Sequence, residues 1–234
     1  MGNFVFRFKQ FAIDQSGVPM KVGTDGVLLG AWLRIDGTEH RILDIGTGTG
    51  VIALMAAQRS TAEHIVGIDV ESVSAERAQA NFEASPWRER LRAECVAVQE
   101  YGAEPFDLIV SNPPYFVDSL LPPDGGRTRA RHTASLPFGE LDEAMCRLLA
   151  PQGRAALILP PAEMERFVAL ARLKMVRRCD VRSVPNGEVK RVMAEFAHSA
   201  VGKCDCQSLT IETVRRGEFS EEYRWLTKDF YLKF

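Results

Sequence analysis

The run Leu43-Asp44-Ile45-Gly46-Thr47-Gly48-Thr49-Gly50 constrains the fold more than any other part of the chain. Three glycines at alternate positions follow a short apolar stretch, Ile42 to Ile45, and precede an apolar helical segment from Val51 to Gln58. Glycine tolerates positive φ and lets a ligand or backbone approach where a Cβ would collide, so strand, sharp turn and helix are expected in that order. A second apolar run, Ile65 to Val70, carries Asp69 nineteen residues past Gly50. Two buried strands joined by a helix form a βαβ unit, which makes an α/β fold with a parallel sheet the first expectation.

The alternation continues downstream. Ala75, Ala78 and Phe82 mark one helix face and Pro86 ends that helix, while Cys95 to Val98 and Phe106 to Val110 read as the third and fourth strands. Leu141, Ala144, Met145, Leu148 and Leu149 form the apolar stripe of a helix packed on a sheet. Gly153 frees the chain for a fifth strand, Ala155 to Leu159, and Met164, Phe167, Val168 and Ala171 mark the next helix. Runs at Cys179 to Val184, Val192 to His198 and Ser208 to Val214 are predicted as antiparallel edge strands. Before the glycine loop, alternating Phe4, Phe6 and Phe8 predict a half-buried strand, and Val27 to Leu33 a short apolar helix. The one long irregular stretch, Phe116 to Pro137, has a length usually reserved for functional loops.

Composition removes several classes of function. With 234 residues, 46% hydrophobic and 26% charged, the chain can bury a core without a staple. Five scattered cysteines with no C-x-x-C pair read as reduced thiols, with Cys204 and Cys206 explained as same-face strand positions, and no metal is expected. No apolar run approaches the roughly 18 residues of a membrane span, so a cytoplasmic protein without membrane contact is expected. No obligate protein partner is evident, and a net charge of −2 means that any nucleic-acid surface must be local.

The glycine spacing points to a particular ligand. A dinucleotide loop, G-x-G-x-x-G, would need glycine where Val51 stands. Asp44 would repel a pyrophosphate but pair with an ammonium group, and Asp69 sits where a carboxylate accepts hydrogen bonds from both ribose hydroxyls. An adenosine carrying a cationic amino-acid tail meets both demands, which indicates S-adenosylmethionine seated on Gly46, Gly48 and Gly50.

Ser111-Asn112-Pro113-Pro114-Tyr115-Phe116 follows the fourth strand and therefore lies at the carboxyl edge of the sheet, where open α/β folds bind ligands. Two prolines hold the Asn112 and Pro113 carbonyls out of any ladder. The Asn112 side-chain oxygen and the Pro113 carbonyl are then fixed acceptors for the N–H groups of a flat amine, favouring its nucleophilic pyramidal form, and Tyr115 offers a face for stacking.

With loop, acid and Asn112 to Tyr115 in this order, the chain resembles class I S-adenosylmethionine-dependent methyltransferases acting on amino groups. Lys9-Gln10-Phe11, Met20 to Trp32 and Ala130-Arg131-His132 further resemble the bacterial tRNA(Val) adenine N6-methyltransferases. The resemblance implies a Rossmann-like, seven-stranded, mostly parallel sheet with an antiparallel last strand and helices on both faces. It also implies N6-methylation of the adenosine at position 37 of a tRNA, next to the anticodon. Residues 1–40 would be an N-terminal extension over the cofactor site, with Thr24 and Asp25 lining it, and residues 41–234 the methyltransferase domain. Val70 and the Val98 backbone would meet the cofactor's adenine. Relatives often carry an acid after the third strand, and this chain departs from that pattern with Ala97-Val98-Gln99 there.

For RNA, Arg127, Arg129, Arg131 and His132 crowd the long loop and are expected to grip phosphates. A second basic stretch through Arg172, Lys174, Arg177, Arg178, Arg182, Lys190 and Arg191 fits a solvated face as well as RNA. Rival readings are a glutamine-amide methyltransferase of the same fold, an enzyme methylating an amino group of rRNA or DNA, an NAD(P) oxidoreductase, and a non-enzymatic RNA-binding module. The first usually carries an extra N-terminal domain, and only about 40 residues precede the glycine loop here.

Overall fold

A computed structural model describes residues 4–114, 136–200 and 202–234. A small antiparallel hairpin, β1 (Val5–Arg7) and β2 (Ala12–Asp14), is followed by α1 (Thr24–Trp32). The βα units are β3 (Arg41–Ile45), α2 (Val51–Arg59), β4 (His64–Asp69), α3 (Ser72–Glu83), β5 (Leu91–Cys95) and β6 (Phe106–Ser111). Then come α4 (Phe138–Leu148), β7 (Leu149–Leu159), α5 (Pro161–Leu170), β8 (Lys174–Arg182), β9 (Val189–Ala197), β10 (Asp205–Thr210) and α6 (Glu221–Thr227).

Among the described residues the main sheet has eight strands in the order β10-β8-β9-β7-β6-β3-β4-β5. β9 runs antiparallel to both β7 and β8, while the remaining pairings, β10 with β8 included, are parallel. The expected seven strands with one reversed are therefore present, and β10 adds an eighth at the edge. The expected ending of antiparallel edge strands is corrected on two points: β10 lies parallel to its neighbour, and β8 and β9 are interior strands, leaving β10 of the three at the edge.

Side chains leave the sheet on alternate faces, as the two-residue period of a strand demands. Ile42, Ile65, Leu108 and Val110 join α1, α2, Phe82 of α3 and Tyr223 of α6 in one core. Leu43, Val66, Ile109 and Leu157 join the stripe Leu141, Ala144, Met145 and Leu148 of α4 and Met164 and Phe167 of α5 in the other. The hairpin closes onto the first core through Phe8, Phe11 and Ile13, and Phe8 stacks on Phe11 with ring centroids 4.6 Å apart.

Other boundaries differ from the sequence reading: β7, β8 and β10 begin six, five and three residues early, and two more differences bear on the site. The third strand is Leu91–Cys95 rather than Cys95 to Val98, which leaves Ala97-Val98-Gln99 as the turn beyond its end. The first helix begins at Thr24, three residues early, because Gly26 lies against α2: a Cβ there would stand 3.3 Å from the Val51 side chain. Among the described residues no helix is long and apolar enough to cross a membrane, and no His, Cys, Asp and Glu gather as metal ligands.

Candidate active site

The carboxyl ends of β3, β4 and β6 meet at one edge of the sheet. Gly46, Gly48 and Gly50 all adopt positive φ, 71°, 56° and 82°. Their reasons differ. A Cβ on Gly46 or Gly48 would meet nothing within 4 Å, so these two face open space, whereas one on Gly50 would lie 2.4 Å from Phe82 Cε1. The first pair leaves room for a ligand; the third lets α2 start against α3.

Asp44 is fully buried under this loop. Its Oδ2 accepts from Thr47 Oγ1 at 2.8 Å and the Ala53 N–H at 3.3 Å, while Oδ1 is buried with no hydrogen-bond partner among the described residues. Burial pushes its carboxyl up to about 7, against the opposing pull of those two hydrogen bonds. An unpartnered oxygen on a carboxyl poised near neutrality suits an ammonium donor and would repel a phosphate.

Asp69 closes β4 beside the loop. Oδ2 accepts from the Gly48 N–H at 2.9 Å and Oδ1 from the Glu71 N–H at 3.0 Å, and each oxygen keeps a lone pair for a diol. Val70 follows, more than half exposed although β-branched and apolar, a flat platform at the mouth of the site. Val98 is buried beyond β5, and its carbonyl accepts from Arg147 Nη2 at 2.9 Å, which fixes that turn.

Thr24 and Asp25 form the first turn of α1, which packs beside the start of α2 and so beside Gly50. Asp25 Oδ2 accepts from Arg191 Nε at 2.7 Å, an ion pair that the sequence reading did not foresee. At the end of β6, Asn112 is half-buried, Pro113 buried and Pro114 exposed. Ser111 Oγ donates to the Ile45 carbonyl at 2.8 Å, tying this segment to the residue before the glycine loop. Tyr115, Arg127, Arg129, Arg131 and His132 lie outside the described residues.

Sequence reasoning missed four supports. Ser111 and Thr47 carry no motif of their own, and Gly67 is needed because a Cβ there would stand 2.5 Å from Thr47 Oγ1. Asn81 of α3 is the fourth. It accepts from the Asp14 N–H and donates to the carbonyls of Asp14 and Thr49, each at 2.9 Å, so it clamps β2 to the glycine loop. The second basic stretch is largely answered internally. Arg172 pairs with Asp142, Arg177 with Glu195, Arg178 with Asp180, Lys190 with Glu188 and Arg191 with Asp25.

Comparison with known proteins identifies the family of the chain. The family described as "Methyltransferase small domain" matches residues 22–121. The chain is 44% identical to the tRNA1(Val) (adenine(37)-N6)-methyltransferase of Parabacteroides distasonis, over 100% of both chains. To the protein of the same name in Phocaeicola vulgatus it is 45% identical, over 99% of both. Among solved structures, a "predicted O-methyltransferase" of Agrobacterium tumefaciens superposes with a TM-score of 0.69 at 17% identity, covering 88% of this chain and 96% of that one. A geranyl diphosphate C-methyltransferase of Streptomyces coelicolor, solved with S-adenosyl-L-homocysteine, gives 0.53 at 13% identity, covering 74% and 78%. At such identities the structural likenesses speak to the fold alone.

Proposed function

Because the chain belongs to the family of tRNA1(Val) (adenine(37)-N6)-methyltransferases, we propose that it methylates N6 of the adenosine at position 37 of tRNA(Val), with S-adenosylmethionine as methyl donor. The donor, when bound, supplies a methyl group already activated by its sulfonium sulfur, so the protein's task is alignment rather than strong acid–base chemistry.

Several residues share that task. Asp44 Oδ1 would take the ammonium of the methionine tail, for which its lack of a partner among the described residues fits it. Gly46 and Gly48 leave room for the tail, Asp69 would accept from the ribose hydroxyls, and Val70 and the Val98 turn would border the adenine. Thr24 and Asp25 border the same seat from α1. The target adenine, unpaired and turned out of its loop, enters beside Asn112. Asn112 Oδ1 and the Pro113 carbonyl accept from its N6 hydrogens, Pro114 keeps the turn rigid, and Tyr115 stacks on the base. Arg127, Arg129, Arg131 and His132 are assigned to the flanking phosphates.

The observation that carries this reading is the Ser111–Ile45 hydrogen bond, 2.8 Å long, because it couples the acceptor segment to the cofactor loop across two adjacent strands. The test is Asn112→Ala, assayed with labelled donor and an unmodified tRNA(Val) transcript, with the product digested to nucleosides. Turnover should fall by about 100-fold or more while donor affinity measured by calorimetry is kept. Near-normal turnover would remove Asn112 from the chemistry, and label elsewhere than N6-methyladenosine would remove the function.

A further inference from the structure

The eighth strand leads to a surface that the methyl-transfer chemistry does not use. Because β10 runs parallel to β8, it delivers the chain at Thr210 to the same sheet edge as Asn112. There residues 211–220 fold into a braced hairpin. The Ile211 N–H donates to the Arg182 carbonyl and the Glu212 N–H to that of Ser183, both at 2.9 Å. Across the hairpin Glu212 bridges Phe219, the Thr213 N–H donates to the Glu218 carbonyl at 2.7 Å, and Gly217 takes the turn at φ 82°. Phe219 roots it, its ring 5.2 Å from those of both Tyr223 and Phe234.

This bracing displays an exposed tip, Val214-Arg215-Arg216, with Val214 86% exposed. Glu218, the nearest acid in the turn, accepts from Thr213 Oγ1 at 3.2 Å. Among the described residues neither Arg215 nor Arg216 pairs with a carboxylate, in contrast to Arg172, Arg177, Arg178 and Arg191. A rigid turn that presents two guanidinium forks suits phosphate oxygens.

We propose that the 211–220 hairpin is a second RNA contact, with Arg215 and Arg216 gripping backbone phosphates of the paired stem next to the target loop; this rests on the methyl-transfer reading above. β10 stands four strands from β6, about 19 Å at the usual inter-strand spacing. Over such a span a duplex presents on the order of ten phosphates, so a stem adjoining a base held at Asn112 passes the hairpin tip. The contact positions the substrate and reads no base. It makes the enzyme favour a looped stem over a free single strand.

The test compares Arg215→Ala/Arg216→Ala with the unaltered protein on two RNAs: an unmodified tRNA(Val) transcript, and an oligonucleotide of the anticodon loop without its stem. Binding is followed by fluorescence anisotropy at several salt concentrations. The double variant should bind the transcript about 10-fold more weakly, with a log–log salt slope smaller by about 1.4–1.8, the release expected for two phosphates. It should bind the loop oligonucleotide and S-adenosylhomocysteine as before. Arg215→Lys/Arg216→Lys should keep most of the slope, and each single alanine variant should show about half of the double variant's decrease. Equal transcript affinity and slope, or an equal loss on the loop oligonucleotide, would overturn the proposal. Methylation of the transcript by the unaltered protein decides the parent reading separately.

Discussion

The backbone N–H of Gly48 donates to the Asp69 carboxylate, 2.9 Å from Oδ2, so the acid expected to hold a ribose also holds the glycine loop in place. Asp69→Asn keeps the shape but exchanges one acceptor oxygen for a donor, which sets an N–H against either the Gly48 or the Glu71 N–H. Both ribose binding and loop geometry suffer. Affinity for S-adenosylhomocysteine, by calorimetry, should drop by roughly 10- to 100-fold, the worth of one or two hydrogen bonds to a charged acceptor. Unchanged affinity would show that the ribose lies elsewhere.

Two glycines of one loop should fail in different ways. Gly50→Ala drives a methyl group into Phe82, at 2.4 Å, and also strains a φ of 82°. A loss of about 2–5 kcal/mol in unfolding free energy is expected. Gly48→Ala meets open space at φ 56°, so its cost is only the left-handed strain of about 1–2 kcal/mol, but its methyl group occupies the ligand seat. Denaturant unfolding should therefore rank Gly50→Ala below Gly48→Ala, with cofactor affinity lost in the latter even where it is fully folded. The reverse ranking would contradict the division of roles.

What was legible in the sequence follows from how strongly each residue type is tied to its environment. Gly46, Gly48 and Gly50 announced a left-handed loop because few other residues tolerate one, and the α4 stripe announced itself by its period. The edge strands were misjudged for the opposite reason. β5, Leu91-Arg92-Ala93-Glu94-Cys95, buries only Leu91 fully, so the nearby Val96 and Val98 drew the reading three or four residues too far. β10 begins with four exposed residues, Asp205 to Ser208, and its direction depends on the connection from β9, which no local pattern encodes. Asn81 gave one faint signal, a poor helix former beside the buried Phe82. Its partners, Asp14 and Thr49, are 67 and 32 residues away.

Burial holds the Asp44 carboxyl up to about 7, well above its value in an unfolded chain. Because the folded protein then binds this proton more tightly, Asp44 contributes stability that is lost as pH rises from about 4 to about 7. Ligand binding has the opposite sign. An ammonium group pairs only with the ionised carboxylate, so donor affinity should rise from pH 6 to pH 7 by about 5-fold, then fall as the donor's own amine, near 7.7–8.0 as an α-amino group, loses its proton. Asp44→Asn should flatten the rising limb. Calorimetric titrations at half-unit pH steps test this, and a wild-type affinity flat below pH 7 would mean that Asp44 does not meet the ammonium.

Asn81 joins two segments that the chain separates widely, and its deletion should loosen both. Asn81→Ala strands the Asp14 N–H and the carbonyls of Asp14 and Thr49, three groups that have 2.9 Å partners in the folded protein. Leaving one or two of them unsatisfied costs about 2–4 kcal/mol, seen as a lowered denaturant midpoint. A surface comparison sets the scale. Gln79→Ala on the same helix loses the bond its Oε1 accepts from the Ala93 N–H at 2.8 Å, near solvent, and should cost about 1 kcal/mol or less. Because Thr49 stands between Gly48 and Gly50, Asn81→Ala should also weaken donor binding several-fold. Hydrogen exchange at Asp14 should quicken, since its N–H is then closed off only by β2 packing. If stability falls but donor affinity and the Asp14 exchange rate stay at wild-type values, Asn81 is a packing residue and the N-terminal hairpin has no hold on the cofactor loop.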